Sequence, residues 1–373
     1  MFEVGSAPTS PETTKRRRLE RLSGSNTIFI TVGEAGESNA PTLPSCGAGF
    51  EHLTTIPKLI AADKTRYIEE LDKEPAYQYL FLRPRRFGKS TFLQTLSDYY
   101  DETKRDSFDN IFRDLYIGQH PTKSRNSLLV LCFNFSGTPV LDNFDDTKKY
   151  FHKQMHLTLL AFLNTNQAVL SPIEGLMVAD DMGSLTLQGV LSLVKRRGKE
   201  LFVGVDEYDA PGNSALFSSD PGLYERVAEF FSTQFYGVIK EAVSQLIVVK
   251  YWLTGVLPAF RDSIGPLLAA HIISNESEYH GLCGLTDAEV QTIARAYLSS
   301  DIEPPALAET MRELQRRYGG YRFCAPGDEP LETLYNPQLV FTHLRGLAKN
   351  KSDLDPRDEI EAVHTARPKY DSK

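Results

Sequence analysis

The chain has 373 residues, 41% hydrophobic and 24% charged, an ordinary globular balance with room for one large domain and a smaller one. Its formal net charge of −8 excludes a general polyanion-binding surface and leaves room only for local basic patches. Its 4 cysteines form no C-x-x-C pair, no apolar run reaches membrane-span length, and the N-terminus lacks an apolar leader core, which together predict a soluble intracellular protein with reduced thiols.

Residues 1–47 are rich in Ser, Thr, Pro, Gly and Glu and read as a largely disordered tail, with one short strand at Ile28–Val32. Lys15-Arg16-Arg17-Arg18 is a basic cluster of the kind importins read, or a plain solvated charge run. Location is therefore cytoplasmic or nuclear. Asp63-Lys64-Thr65 opens a helical pattern through Ile68 and Leu71. Lying just ahead of the first core strand, Asp63 is also a candidate contact for a nucleotide base.

Tyr79-Leu80-Phe81-Leu82 is a short strand, followed by Arg83-Pro84-Arg85-Arg86-Phe87-Gly88-Lys89-Ser90 and an amphipathic helix from Thr91. Strand, turn, Gly-Lys-Ser, helix is the order a phosphate-binding loop needs, because backbone amides and the positive helix end then face the phosphates. Lys89 is placed to reach the β- and γ-phosphates, and the Ser90 hydroxyl to hold Mg²⁺. The general consensus has Gly where this chain has Arg83. Arg83, Arg85, Arg86, Phe87, Gly88 and Thr91 complete the candidate nucleotide-binding set. The four cations Arg83, Arg85, Arg86 and Lys89 are candidates to offset triphosphate charge, or to pair with Asp206 and Asp209.

Leu128–Phe135 reads as a strand buried on both faces, as a helix-covered parallel sheet requires. Residues 143–164 read as a helix, on which His152 and His156 lack a third ligand and make a surface pair rather than a metal site. A further helix runs through Leu185, Leu187, Val190, Leu191 and Val194 and ends at Lys195-Arg196-Arg197-Gly198. Leu201–Val205 is then an apolar strand ending in Asp206-Glu207. Such sheets open their sites at the C-terminal strand ends. Asp206 would share Mg²⁺ with Ser90, and Glu207 would polarise an attacking water.

Residues 222–244 form one long helical pattern, and Leu246–Leu253 the next buried strand, ending in Thr254-Gly255. Thr254 is a candidate γ-phosphate sensor, or a turn-forming hydroxyl. Beyond residue 262 the pattern turns to short helices. They comprise a capping box at Thr286–Glu289, a helix through Leu307, Met311 and Leu314, an aromatic turn at Tyr318–Phe323 read as a hairpin, and a helix after Asn336-Pro337.

These landmarks together resemble the AAA-ATPase-like family, a P-loop group often fused to a PD-(D/E)XK nuclease-like domain. The residues carrying the resemblance are Asp63-Lys64-Thr65, the Arg83–Ser90 string, Val205-Asp206-Glu207-Tyr208-Asp209, Leu253-Thr254-Gly255, Tyr318–Phe323 and Tyr335-Asn336-Pro337. They run from about 50 to 345, and the family commonly carries Arg at the position of Arg83. The resemblance implies functional roles for Lys89, Ser90, Asp206 and Glu207. After the Asn336-Pro337 helix the sequence leaves no room for a nuclease domain, so none is expected.

The expected fold is α/β. A P-loop NTPase core at 48–261 has a mostly parallel β-sheet flanked by helices, a small mostly helical lid follows at 262–347, and a charged tail at 348–373. The expected function is ATP binding and hydrolysis with Mg²⁺, driving a conformational switch. The alternative is a nucleotide-binding interaction module with negligible hydrolysis, nuclear and associated with nucleic acid. Net charge speaks against a nucleic-acid partner. No membrane is expected, and the sequence leaves the protein partner and oligomeric state open.

Overall fold

The computed structural model describes residues 19–21, 28–31, 41–45, 49–139, 143–172, 183–268, 270–298, 303–324 and 332–349. The Lys15–Arg18 cluster, Cys46 and the tail beyond residue 349 lie outside the described residues. Among the described residues no helix is long and apolar enough to cross a membrane.

The strands in chain order are β1 (Leu19–Arg21), β2 (Ile28–Thr31), β3 (Ile60–Ala62), β4 (Tyr77–Leu82), β5 (Leu129–Asn134), β6 (Leu201–Asp206), β7 (Val248–Gly255) and β8 (His271–Ile272). Five of them form one all-parallel sheet in the order β5-β6-β7-β4-β8. β6 and β7 are buried at every position, which is why their sequences are nearly continuous apolar runs. Successive residues alternate between two cores. Leu201, Val203, Val205 and Leu253 pack with the helices Phe144–Thr165, Gly183–Arg196 and Leu223–Phe231. Phe81, Phe202 and Trp252 pack on the other face with the Lys89–Tyr100 helix.

The strand after the long helix begins two residues later than its apolar run suggests. Leu246 is 68% exposed with φ 56°, so it is a turn residue and not the strand's first position. The helical pattern over 222–244 is continuous but passes through a π-helical turn at Ser232–Tyr236. Asn143 caps the Phe144–Thr165 helix by accepting from Asp146 N at 3.0 Å.

The core sheet does not end at residue 261. β8 lies beyond it and pairs in parallel with β4, while Ile273 N donates to Leu80 O at 3.2 Å. Ile28–Thr31 is a strand, and it joins a small antiparallel sheet between β1 and β3. The helices Asp287–Leu298, Pro304–Tyr318 and Pro337–Lys349 share a third core with Leu43 and Ile60. The capping box is present, with Glu289 N donating to Thr286 Oγ1 and Thr286 N to Glu289 Oε2. Tyr318–Phe323 does not fold on itself as a hairpin; Tyr321 instead bridges Leu334 in antiparallel fashion.

Lys250 interrupts the apolar run of β7 and yet is 1% exposed. At the opposite end of the sheet from the strand tips, its Nζ meets Asp72 Oδ1 at 2.7 Å. Tyr100 Oη donates to the same oxygen at 2.8 Å, and Thr122 Oγ1 donates to Asp72 Oδ2. Asp72→Asn leaves this cation without its counter-charge and should lower stability by roughly 3–5 kcal/mol, read from urea unfolding midpoints. Asp72→Asn/Lys250→Met should recover most of that loss, because the uncompensated buried charge is then gone. A double variant as unstable as the single would assign the cost to Asp72's other bonds.

Candidate functional site

β4 runs straight into the 83–88 loop, which turns back into the Lys89–Tyr100 helix. Two left-handed residues make the turn, Arg86 at φ 72° and Gly88 at φ 96°. For Gly88 that conformation carries no steric penalty. The helix's first internal bond runs from Phe92 N to Gly88 O at 3.0 Å, so the amides of Lys89, Ser90 and Thr91 precede its ladder. Such a 12-residue helix presents its positive end to whatever lies in the loop. Lys89 is 5% exposed, and its Nζ arches back to donate to Pro84 O at 3.3 Å. Ser90 stands exposed at the loop's mouth, and Thr91 is half-buried one position on.

Strand order brings the second half of the site alongside. β7 lies between β6 and β4, so the ends of all three strands are neighbours. Asp206 ends β6, is 6% exposed, and accepts from Glu207 N at 3.1 Å. Burial pushes the Asp206 carboxyl up, while the nearby Ser90 hydroxyl and the Lys89 charge oppose that rise. Glu207 follows with φ 52°, a conformation that costs a branched or long side chain energy. Burial also pushes Glu207 up; Lys89 and Arg85 pull it down, and Asp206 and Asp209 push it further. Thr254 pairs in register with Phe81 on β4, is fully buried, and its Oγ1 has no hydrogen-bond partner. The structure thus brings together Lys89, Ser90, Asp206, Glu207 and Thr254.

Three expected contacts lie elsewhere. Arg83 does not face the loop's interior. Its guanidinium is buried between the rings of Phe81 and Phe323, 4.3 and 4.0 Å from their centroids. Nη1 donates to Leu82 O (2.9 Å) and Ser274 O (2.7 Å), and Nη2 to Tyr279 O (3.1 Å) and His280 O (3.3 Å). Those four carbonyls take the fork that a phosphate would need. Asp63 is likewise committed to the chain. Oδ1 accepts from Thr65 N and Oγ1, at 2.9 and 2.6 Å, and Oδ2 from Tyr116 N at 2.8 Å. It braces Thr65, the residue at the head of the Arg66–Leu71 helix, against the segment at 116, and these bonds occupy both of its carboxylate oxygens. The Phe87 side chain is an anchor. It is 1% exposed and meets Tyr321 and Phe323 edge-on at 4.9 and 5.5 Å. Arg85 and Arg86 remain exposed on the loop.

The residues missed by sequence reading are those that hold the loop from the C-terminal side. Asn336 Nδ2 donates to Arg85 O at 3.2 Å, Gly284 N to Phe87 O at 3.3 Å, and Leu82 N to Ser274 Oγ at 2.7 Å. Separately, Lys64 Nζ ties the segment ahead of the Arg66–Leu71 helix to Glu289 at 2.7 Å. The strings Tyr318–Phe323 and Asn336-Pro337 stood out in the sequence, but nothing local said that they clamp a loop some 250 positions earlier. Among the described residues no group of three or more His, Cys, Asp or Glu is placed to hold a metal ion, the His152–His156 pair included.

No solved structure matches the chain. An uncharacterised protein from the vnfD 5′ region of Azotobacter chroococcum mcd 1 is 26% identical over 277 residues, 74% of this chain and 46% of its own. The chain therefore spans less than half the length of that relative. The family model described as "Predicted AAA-ATPase" matches residues 50–265, more than half of the chain and all of β3 to β7. By that match the chain belongs to the AAA-ATPase-like family.

Proposed function

We propose that the chain binds ATP with Mg²⁺ at the 83–90 loop, hydrolyses it, and uses the event to drive a conformational switch. One observation carries this reading: Lys89 and Ser90 at the head of one helix stand beside Asp206 and Glu207 at the end of β6. The residues fit the ligands. Lys89 holds a long bond to a loop carbonyl, the Ser90 hydroxyl lies near the Asp206 carboxyl, and the buried Thr254 Oγ1 has no partner.

In this reading Arg83–Ser90 forms a P-loop. Its backbone amides and Lys89 hold the phosphates, with Arg85, Arg86 and Thr91 at its edge. Ser90 and Asp206 would hold Mg²⁺, which supplies charge neutralisation between the phosphates. Glu207, raised in pKa by burial, orients water and takes its proton. Thr254 donates its spare hydrogen bond toward the γ-phosphate. Asn336, Gly284 and Arg83 link the loop to the C-terminal helices, which act as a lid sensing loop geometry. ATP is proposed over GTP on the family's description as an AAA-ATPase; one N-K-x-D string, Asn350-Lys351-Ser352-Asp353, does occur, outside the described residues.

The test measures ATP binding and phosphate release together. Lys89→Ala should weaken MgATP binding at least tenfold, because a buried charge-assisted bond to phosphate is lost. Equal affinity in wild type and Lys89→Ala would overturn the site. Binding without release in the wild type would favour the non-hydrolytic switch.

A further inference from the structure

The third carboxylate of the Asp206–Asp209 string, two residues past Glu207, has no part in the chemistry so far. Asp209 is fully buried. Its Oδ2 accepts from Leu257 N at 2.8 Å and Val256 N at 3.3 Å, and Oδ1 from Val256 N at 3.4 Å. The Asn213 side chain donates to Oδ2 at 2.9 Å. Asp209 precedes the Ala210–Ala215 helix, where an ordinary N-cap would bond that helix's own amides. It makes no such side-chain bond. Every backbone donor it accepts from belongs to the segment leaving β7.

Two further ties cross the same joint. Tyr208 N donates to Thr254 O at 3.0 Å, and Tyr208 Oη to Leu257 O at 2.6 Å. Gly255 completes the fit, since a Cβ there would lie 2.5 Å from both Asp209 Oδ1 and Tyr208 Cδ1. The turn carrying Glu207 and the strand end carrying Thr254 are thus pinned on both sides of each residue.

We propose that Asp209 is a positioning residue, locking the Glu207 turn to the Thr254–Leu257 segment so that base and hydroxyl keep one separation during hydrolysis. The proposal rests on the ATPase reading above. Its physical basis is that a carboxylate accepting backbone amides makes strong, directional bonds. Glu207 at φ 52° also needs surroundings that hold it there. Displacing a catalytic group by about 1 Å costs on the order of 10²-fold in rate.

The test is Asp209→Asn in the full chain, with two readouts. Hydrogen exchange should accelerate at the amides of Val256 and Leu257 and stay unchanged in β5. Steady-state turnover should fall at least tenfold in kcat, with KM within about threefold. A purely structural Asp209 would lower folded yield and leave the kcat-to-KM balance unmoved, and that result overturns the proposal. Unchanged exchange at Val256 and Leu257 overturns it as well. Should Asp209→Asn not accumulate folded, Tyr208→Phe removes only the hydroxyl tie and should show the same exchange effect with about a threefold loss in kcat; no effect there overturns the proposal. A wild-type chain that binds MgATP without turnover removes the hydrolytic reading, and amide exchange then decides the clamp on its own.

Discussion

Glu207→Gln is expected to retain MgATP affinity within about threefold and to lose phosphate release by roughly 10²–10⁴-fold, the usual range for removing a general base. The amide keeps the shape and the hydrogen-bonding oxygen but cannot take a proton. Its position supports this assignment. Glu207 directly follows Asp206, within electrostatic reach of Lys89 and Arg85, in a cleft that raises its pKa through burial. A base lifted toward neutrality accepts a proton more effectively than an exposed carboxylate would. The backbone supplies an independent check. At φ 52° a glutamate costs about 1–2 kcal/mol that a glycine does not. Glu207→Gly should therefore unfold at an equal or higher temperature than wild type while losing turnover as Glu207→Gln does. Retained turnover in Glu207→Gln would remove the residue from the chemistry, and a large stability loss in Glu207→Gly would make its role structural.

The strands at the heart of the sheet were legible because each writes its burial into consecutive residues. Leu201–Val205 and, Lys250 apart, Val248–Leu253 are apolar without alternation, which only a strand covered on both faces tolerates. The Gly-Lys-Ser turn and the Asp-Glu strand end were legible for the same reason: their chemistry is local. What sequence hid was non-local. Arg83 occupies a loop position that faces phosphate in the general pattern, and its type invites that role. Its real partners are carbonyls at Leu82, Ser274, Tyr279 and His280, three of them about 190 residues away. Asp63 was readable as a helix start, and that reading holds through its bonds to Thr65. β8 escaped notice because His271–Ile272 is two residues long, too short for any periodicity. The pairing of Lys250 was not legible, because its neutralising Asp72 lies in a different element.

Arg83 carries the other large effect. Restoring the general consensus with Arg83→Gly should not improve the loop but cost roughly 5 kcal/mol, comparable to the whole stability of many domains. Four carbonyls lose their donors, and each buried acceptor left unpaired costs about 1–3 kcal/mol. The rings of Phe81 and Phe323 also lose the cation held between them. Burial lowers the Arg83 pKa to about 10, which still leaves it charged at neutral pH. Arg83→Lys keeps the charge but not the planar fork, so it can serve only part of the carbonyl set and should fall between wild type and Arg83→Gly. Arg83→Met fills the volume and restores none of the bonds, so it should lie near Arg83→Gly. Urea midpoints and soluble yield give this ordering, with MgATP affinity measured on whatever folds. The affinity loss in Arg83→Lys should be smaller than in Lys89→Ala, because Arg83 reaches the nucleotide only through the backbone it braces. An Arg83→Gly chain of wild-type stability and tighter ATP binding would place the guanidinium on the phosphates instead, and with it would fall the link from the loop through Ser274 and His280 to the C-terminal helices.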